Sequence, residues 1–480
     1  MLKAWYPMSI RVLDFALRRT DVKLRMPFRY GIATMTDGPV VFISLQVESG
    51  GVVATGVSSD LLPPKWFTKV PATPIEDEVA EMLRVIRQAG QEAVGLCGRT
   101  PFDVWKQLYD AQEAWALREQ LPPLLSNFGV SLVERALLDA VCRASGRSFG
   151  ELLRASQLGI ELGRIHEELQ GLPAAGLLPA HSLGHVTVRH TVGLIDPLTD
   201  ADIAPDSLLP DGLPQSLAAS VEAYGLRHFK LKVSGDAEAD LERLSRIAAT
   251  LRKVAPADFA FSLDGNEQFE SVEQFRAFWE QTVAHSDLEE FLSHLLFVEQ
   301  PLARGIALQP AVGREFAEWP DRPPIIIDES DARLYDCRIA LDRGYAGTSH
   351  KNCKGIFKGI ANRCLLAARR RAEPGRVLLM SGEDLCNIGP VALLQDLALM
   401  AALGIASVER NGHHYHAGLS QFPRLVQEQV LEAHGDLYHT APAGWPTLRV
   451  TGGAVSLDSI NRAPFGVGFA LDTAQFDVCL

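Results

Sequence analysis

Charged residues follow apolar runs at regular intervals through the middle of the chain. The run "HFKLKV" at 228–233 carries Lys230 and Lys232 two residues apart, so both would point to one face of a strand. Three later apolar runs end in carboxylates and a fourth in an amine: Asp264, Glu299, Asp328 with Glu329, and Lys351. A single strand-end Asp most often caps the following helix. Four such ends in succession are better explained by one shared site.

The three strand-end carboxylates predict a metal site. Asp264, Glu299 and Asp328 would repel one another unless a cation lay between them, and oxygen ligands without His or Cys favour Mg²⁺, with Mn²⁺ as a substitute. Asn266, two residues beyond Asp264, is placed to orient these ligands. Such a metal would hold a substrate carboxylate and stabilise the enediolate formed when the α-proton leaves.

The lysines then become candidate acid/base groups. We expect repulsion between Lys230 and Lys232, together with the cation, to lower the pKa of these amines and make a lysine a base near neutrality. Lys232 and Lys351 would approach the substrate carbon from opposite faces. The alternative is a structural lysine pair, ion-paired to the strand-end carboxylates.

A repeating strand-and-helix pattern must position these residues. Apolar runs with polar ends recur about 30 residues apart from residue 186 onward, which is the spacing of a strand plus a helix in a parallel sheet. The predicted strand ends lie near 196, 232, 264, 299, 328, 351, 382 and 409. Eight such units predict an α/β fold, a (β/α)8 barrel whose active site lies at the carboxyl ends of the strands.

The segment before the barrel predicts a separate unit. The predicted strands are 11–19, 40–49 and 52–59, the predicted helices 74–90 and 131–146, and the predicted loop and connectors 26–39, 60–73 and 163–182. Short strands are also expected after residue 436, in "LRVTGGAVSLD", and this tail is expected to pack back on the N-terminal unit.

Bulk composition narrows the class of partner. The 480 residues are 47% hydrophobic and 22% charged, and the formal charge of −13 argues against a nucleic-acid partner and weakly against an anionic membrane surface. The N-terminus shows no apolar run followed by a small-residue cleavage site. The seven cysteines form neither a CxxC pair nor an even framework. We therefore expect a cytoplasmic protein with a small-molecule carboxylate as partner.

The ordered strand ends KxK, DxN, E, DES and K resemble the enolase superfamily, in particular its muconate-lactonizing subgroup (the mandelate racemase/muconate lactonizing enzyme family). The segment "VSLVERALLDAVCRASGRSFGELL" at 130–153 also resembles the helix that joins cap and barrel there. The resemblance implies a modified TIM barrel with an α+β capping domain formed by both termini. It implies boundaries at 1–165 for the N-terminal part of the cap, 166–435 for the barrel and 436–480 for the returning tail. Even-numbered homo-oligomers are common in the family.

The resemblance also assigns roles. Asp264, Glu299 and Asp328 match the metal ligands, Lys232 and Lys351 match the paired bases, and Lys230 is the first residue of KxK. The racemase and sugar-acid dehydratase subgroups use a histidine-aspartate pair instead. The seventh strand, "VLLMSGE", has no histidine, which favours the two-lysine arrangement.

Several positions depart from the family pattern or stay open. "KNCKGIFKG" spreads its glycines, so Lys354 rivals Lys351, and Glu409 and Asn411 replace the Asp-x-Asp-Gly that holds an ammonium group in dipeptide epimerases. The further candidates for substrate contact are Glu383, Tyr30 and the histidines His413, His414 and His416. Phe28, Tyr30 and Met35 lie in the cap loop that closes over the barrel mouth in the family, where they either form a lid that excludes water or pack in the core of the cap. The histidine loop could bind zinc, contact substrate, or be a solvated loop with one buried histidine.

These observations favour a Mg²⁺-dependent isomerase, a racemase, epimerase or cycloisomerase with two lysines as acid and base. A dehydratase of the o-succinylbenzoate-synthase type, performing syn-elimination, is the alternative within the family. A Schiff-base enzyme using Lys351 and a non-catalytic acid-binding barrel are alternatives from other classes.

Overall fold

A computed structural model describes residues 9–479 of the chain. Residues 1–8, which include part of the segment inspected for a leader, lie outside the described residues. The N-terminal unit opens with three long antiparallel strands. Its elements in chain order are β1 (Ile10–Tyr30), β2 (Ala33–Ser49), β3 (Val52–Leu61), α1 (Ile75–Ala93), β4 (Cys97–Gly98), α2 (Pro101–Arg118), α3 (Pro123–Ser145) and α4 (Phe149–Arg154).

The cap is an antiparallel sheet covered by helices. In α3 every residue from Leu124 to Cys142 is buried, and this helix packs directly on the sheet. A Cβ at Gly56 would lie only 2.0 Å from the carbonyl oxygen of Ala136, so glycine at this position permits the close contact between β3 and α3. The helix α2, which the sequence analysis did not predict, begins with a capping box between Thr100 and Asp103.

The segment 26–39, predicted to be a loop, is a β-hairpin tip. The strand pairing continues to Tyr30 opposite Ala33, after an irregularity between Lys23 and Phe28. Polar and aromatic residues alternate here because only one face of the hairpin is buried against the barrel. The prediction was therefore wrong in type, although the segment lies where the lid was expected.

Eight parallel strands form a closed barrel, in agreement with the prediction. They are β5 (His185–Val192), β6 (His228–Lys232), β7 (Ala260–Asp264), β8 (Leu295–Glu299), β9 (Ile325–Ile327), β10 (Gly347–His350), β11 (Leu379–Gly382) and β12 (Ser407–Glu409). The last strand pairs with the first, which closes the cylinder. The first strand ends at Val192, earlier than the predicted end near residue 196.

Helices connect the barrel strands, and the last three of those named here follow the final barrel strand. The helices are α5 (Leu217–Tyr224), α6 (Ala237–Val254), α7 (Val272–Ala284), α8 (Glu289–Leu292), α9 (Arg304–Ala307), α10 (Pro310–Ala317), α11 (Asp336–Asp342), α12 (Ile356–Ala372), α13 (Ala392–Leu403), α14 (Gly412–Tyr415), α15 (Arg424–Ala433) and α16 (Asp458–Arg462). Ser216, Asp236 and Ser271 cap α5, α6 and α7 by accepting a backbone N–H. The caps of α6 and α7 fix the first turn of each helix within a few residues of a barrel strand, whereas α5 begins after a long connection from β5.

The tail contacts both units. Its remaining strands are β13 (Tyr438–Thr440), β14 (Pro446–Leu448), β15 (Ala454–Ser456) and β16 (Asp477–Val478). Strand β15 pairs with β5 of the barrel, while β16 pairs with β1 of the cap. Among residues 9–479, no helix has both the length and the apolar character needed to cross a bilayer.

Candidate active site

The predicted site residues converge at the carboxyl ends of the barrel strands. Asp264 ends β7, Glu299 ends β8 and Asp328 directly follows β9, and all three side chains are buried. Lys230 and Lys232 belong to β6, and their side chains reach these carboxylates. The alternation within "HFKLKV" thus turns both amines into the barrel, as the sequence predicted.

Lys230 lies at the centre of a ring of carboxylates. Its Nζ is 2.7 Å from Glu383 Oε2 and 2.9 Å from an oxygen of Asp264, Glu299 and Glu409. The side chain is buried, so solvent does not screen these contacts. The two neighbouring lysines are tolerated because four acids surround Lys230 and one of them, Asp264, also pairs with Lys232.

Lys232 and Lys351 contact different members of this ring. Lys232 Nζ lies 2.5 Å from Asp264 Oδ2. Lys351 Nζ pairs with Asp328 and lies 3.0 Å from Glu383 Oε2. Because β6 and β10 are four strands apart in a barrel of eight, the two amines enter the site from opposite walls.

The pKa of the lysines differs from the expectation. Burial favours the neutral amine, but the charges of Asp328 and Glu383 outweigh it and raise the pKa of Lys351 well above its usual value. The same balance raises the pKa of Lys230, through Asp264, Glu299, Glu383 and Glu409. Repulsion from Lys232 therefore does not by itself lower the pKa of Lys230, because the surrounding carboxylates outweigh it. The expected lowering in the presence of a bound dication stays a prediction.

The oxygen ligands fit a divalent cation. One oxygen each from Glu299, Asp328 and Glu383 lie within 4.8 Å of one another. Burial, followed by the charges of Asp264 and Glu383, raises the pKa of Glu299 well above its usual value, so the lysines leave the negative charge there undercompensated. Glu299 and Asp328 belong to the predicted set of metal ligands. The third acid of this group is Glu383, whereas the prediction was Asp264.

Asn266 and Glu329, which lie beside these acids, carry side-chain oxygens that have no partner within residues 9–479. Asn266 Nδ2 lies 3.4 Å from Glu329 Oε1, while Asn266 Oδ1 and Glu329 Oε2 are buried with no hydrogen-bond partner in the described part of the chain. Burial, followed by the charge of Asp328, raises the pKa of Glu329 to about 8. A cation or its water ligands would satisfy these oxygens.

Lys354 occupies a different place from Lys351. Its Nζ donates to the backbone oxygens of Asp328 and Ser349 and lies 2.9 Å from Asp328 Oδ1. Lys351 lines the central cavity, whereas Lys354 does not. Lys354 thus anchors the loop after β9.

Arg189 is a site residue that the sequence analysis missed. It is buried in β5 and donates to Ser381 Oγ at 2.6 Å and to Glu383 Oε1 at 3.0 Å. Glu383 also accepts from Ser381, so four groups hold its two oxygens, the other two being Lys230 and Lys351. A charge inside the apolar run "VTVRHTV" is the same signal that identified Lys230, and it could have identified Arg189.

Glu409, Arg410 and Asn411 at the end of β12 all form hydrogen bonds or ion pairs within the protein. Glu409 accepts from Thr191 at 2.6 Å and from Asn411 at 3.0 Å, besides Lys230. Arg410 points to the other side, where it donates to Asp384 Oδ2 at 2.8 Å. Asn411 Oδ1 is buried without a partner among residues 9–479.

The histidine loop after β12 is buried, so the prediction of a solvated loop with one buried histidine is wrong. His413, His414 and His416 are all buried, and His413 Nε2 lies 3.1 Å from His190 Nδ1. Residues 412–415 form α14, which packs on the hairpin tip of the cap. These histidines do not line the cavity, and the candidate metal ligands found in the described residues do not include them.

The cap closes over the barrel mouth. Phe28, Tyr30 and Met35 of the hairpin tip line the cavity, as does Trp66 from the connector after β3. Arg304 fixes that connector, since it donates to the backbone oxygens of Trp66 and Phe67 and forms an ion pair with Glu267. The Trp66 ring lies over Lys351, 5.2 Å from Nζ to the ring centroid. The resulting cavity has a volume of about 40 Å³.

Comparison with solved structures identifies this architecture. An enolase from Bradyrhizobium complexed with magnesium and mandelic acid is 16% identical, with a TM-score of 0.58 over 100% of each chain. Muconate lactonizing enzyme from Pseudomonas fluorescens complexed with muconolactone is 16% identical, with a TM-score of 0.58 over 97% of this chain and 98% of that chain. The chain has the enolase-superfamily fold. Dipeptide epimerase from Enterococcus faecalis shares that fold at 15% identity, with a TM-score of 0.58 over 96% of this chain and 100% of that chain.

No protein-family model and no curated protein matches the sequence. The likeness to enolase-superfamily structures therefore concerns the fold. A shared fold hosts several reactions, so the activity must be argued from the side chains at the barrel mouth.

Proposed function

We propose that the protein is a Mg²⁺-dependent enzyme that abstracts the proton α to a substrate carboxylate, a racemase, epimerase or cycloisomerase with Lys232 and Lys351 as acid and base. One observation carries the proposal. The two amines enter one cavity from opposite walls of the barrel, with a buried carboxylate cluster between them. A flat carbanion held between two such amines can lose a proton from one face and gain it on the other.

Asp264, Glu299 and Asp328 are the proposed ligands of the cation. Glu383 lies near Glu299 and Asp328, but four donors already occupy its two oxygens. Asp264 is held by the two lysines and by one backbone N–H. A bound dication would hold the substrate carboxylate and offset the negative charge that develops as the α-proton leaves.

The lysines and the cation share ligands, and this sharing sets the state of the bases. Lys351 keeps its proton because Asp328 and Glu383 lie against it. When Asp328 is engaged by a dication, its charge is no longer available to the amine, and the repulsion of the cation also favours the neutral form. The pKa of Lys351 should then fall toward the range of a useful base.

The proposal is tested by proton exchange at each face. Each enantiomer of a substrate acid is incubated with the enzyme in D₂O, and loss of the α-proton signal is followed by NMR. We expect Lys232→Ala to lower the rate of exchange from one enantiomer by about 100-fold or more. Lys351→Ala should lower the rate of exchange from the other enantiomer by a similar factor. The remaining lysine keeps the exchange at its own face.

Lys358→Met is the matched control, because Lys358 is a buried lysine whose partner is Asp331 and it does not line the cavity. Exchange from both enantiomers should persist in this variant. If both Lys232→Ala and Lys351→Ala exchange both enantiomers at the wild-type rate, the paired-base assignment is refuted.

A further inference from the structure

The walls of the cavity above the carboxylate cluster are mostly apolar. The cap contributes Phe28, Met35 and Trp66, and the loop after β11 contributes Leu385. All four side chains are buried. Tyr30 also lines the cavity, but its hydroxyl already donates to the backbone oxygen of Pro64 at 2.8 Å, so towards a ligand it can only accept a hydrogen bond.

The polar groups of the same walls are already paired. Asp384 accepts from Arg410 and from the backbone N–H of Cys386, and Asn411 donates its amide to Glu409. Within residues 9–479, Asn266 Oδ1 also lines the cavity without a partner, but it lies beside Glu329 at the carboxylate cluster. The other lining oxygen that is unpaired, within the described residues, is Asn411 Oδ1. It can accept one hydrogen bond from a ligand hydroxyl or N–H.

The lysine side chains that line the cavity are already paired with carboxylates. Lys230, Lys232 and Lys351 are its basic lining residues in the described part of the chain, and each contacts carboxylates of the cluster. A second acid group on the substrate would be buried without a counter-charge. A row of hydroxyl groups would find few acceptors away from the carboxylate cluster, chiefly Asn411 Oδ1 and the hydroxyl oxygen of Tyr30, and buried polar groups without partners are strongly disfavoured.

We propose that the enzyme acts on monocarboxylates whose α-carbon carries an uncharged apolar or aromatic group, packed against Phe28, Met35, Trp66 and Leu385, with at most one hydrogen-bond donor facing Asn411. Acid sugars and dicarboxylates are excluded by the same walls. This inference rests on the proposed function, because it takes the carboxylate cluster as the place where the reacting end of the substrate lies.

Three 2-hydroxy acids that differ only in the remaining substituent provide the test: mandelate with a phenyl ring, malate with a second carboxylate and gluconate with a polyol chain. Binding to the Mg²⁺-loaded protein is measured by calorimetry, and α-proton exchange is followed by NMR in D₂O. We expect mandelate to bind at least about tenfold more tightly than the other two acids.

The two readouts separate the two hypotheses. Tight binding of mandelate without exchange would support the substrate class and overturn the proposed reaction. Exchange of malate or gluconate but not of mandelate would support the proposed reaction and overturn the substrate class. Equal or weaker binding of mandelate, or binding of none of the three at millimolar concentration, would overturn the substrate class.

Two variants of Met35 test whether the apolar wall sets the preference for mandelate. Met35→Arg introduces a cation there, so malate should gain at least about tenfold in affinity relative to mandelate. Met35→Leu keeps the volume and apolar character of the wall and should keep the preference for mandelate. An unchanged ratio in Met35→Arg would show that substrate does not meet this wall.

Discussion

Lys230 Nζ lies 2.7 Å from Glu383 Oε2, an ion pair that joins the second and seventh strands of the barrel across its interior. Asp264, Glu299 and Glu409 surround the same amine. Lys230 thus supplies positive charge to the carboxylate ring from the chain itself. This built-in charge explains how so many acids remain buried in the protein before a metal binds.

Replacing Lys230 should make the fold dependent on metal. Lys230→Met leaves the carboxylate ring without its central charge, and breaking a buried ion pair from one side costs about 3–5 kcal/mol. A dication can restore part of the lost charge, so Mg²⁺ should raise the melting temperature of Lys230→Met more than that of the wild type. Thermal unfolding with Mg²⁺ and with EDTA measures both effects.

Lys358→Met provides the comparison, because Lys358 is equally buried but pairs with Asp331 away from the cavity. It should be destabilised as well, without any gain in the response to Mg²⁺. A Lys230→Met protein whose melting temperature responds to Mg²⁺ no more than that of Lys358→Met would disprove the role of Lys230 as a stand-in cation.

The third metal ligand can be determined from affinity. Glu299 and Asp328 belong both to the predicted triad and to the acids that converge within 4.8 Å, so Glu299→Gln and Asp328→Asn should each weaken Mg²⁺ binding about 10- to 100-fold or more. Asp264→Asn should have an effect of the same size. Glu383→Gln should have a smaller effect, because Arg189, Ser381 and two lysines already hold Glu383.

Calorimetric titration with Mg²⁺, or electron paramagnetic resonance with Mn²⁺, measures these affinities without a substrate. Circular dichroism confirms that each variant is folded before the comparison. A larger loss in Glu383→Gln than in Asp264→Asn would replace Asp264 by Glu383 in the ligand set.

The barrel and the convergence of its acids were readable from the sequence. A strand turns every second residue to the same face, so Lys230 and Lys232 had to share the barrel interior with the strand-end acids. Parallel strands in a closed barrel bring their carboxyl ends to one rim, so Asp264, Glu299 and Asp328 had to meet there. Local alternation and repeat spacing were sufficient for these predictions.

Other features depended on contacts between distant segments. The hairpin at 26–39 is polar and aromatic because one face covers the barrel mouth, and the sequence of the hairpin does not reveal that cover. The pKa of Lys351 depends on Glu383, whose place beside the amine follows from the closed barrel and from Arg189. His413 is buried beside His190 of the first strand, which is 223 residues earlier in the chain.

The buried histidines should make the protein less stable in mild acid. Burial lowers the pKa of His190 to about 3, and burial, with a smaller contribution from the neighbouring His190, lowers the pKa of His413 well below its usual value. Both remain neutral in the folded state, whereas in the unfolded chain a histidine binds a proton below about pH 6.5. The unfolded state then holds more protons, so the stability that is present above about pH 6.5 is lost as the pH falls toward the folded pKa.

Urea unfolding at two pH values measures this loss. A histidine that stays neutral in the folded state loses about 1.4 kcal/mol per pH unit below about pH 6.5, so His190→Gln should reduce the stability difference between about pH 7 and about pH 5 by about 2 kcal/mol. His181→Gln is the control, because the side chain of His181 is exposed and its replacement should leave that difference unchanged. If His190→Gln retains the full acid sensitivity of the wild type, His190 is not the group that resists protonation.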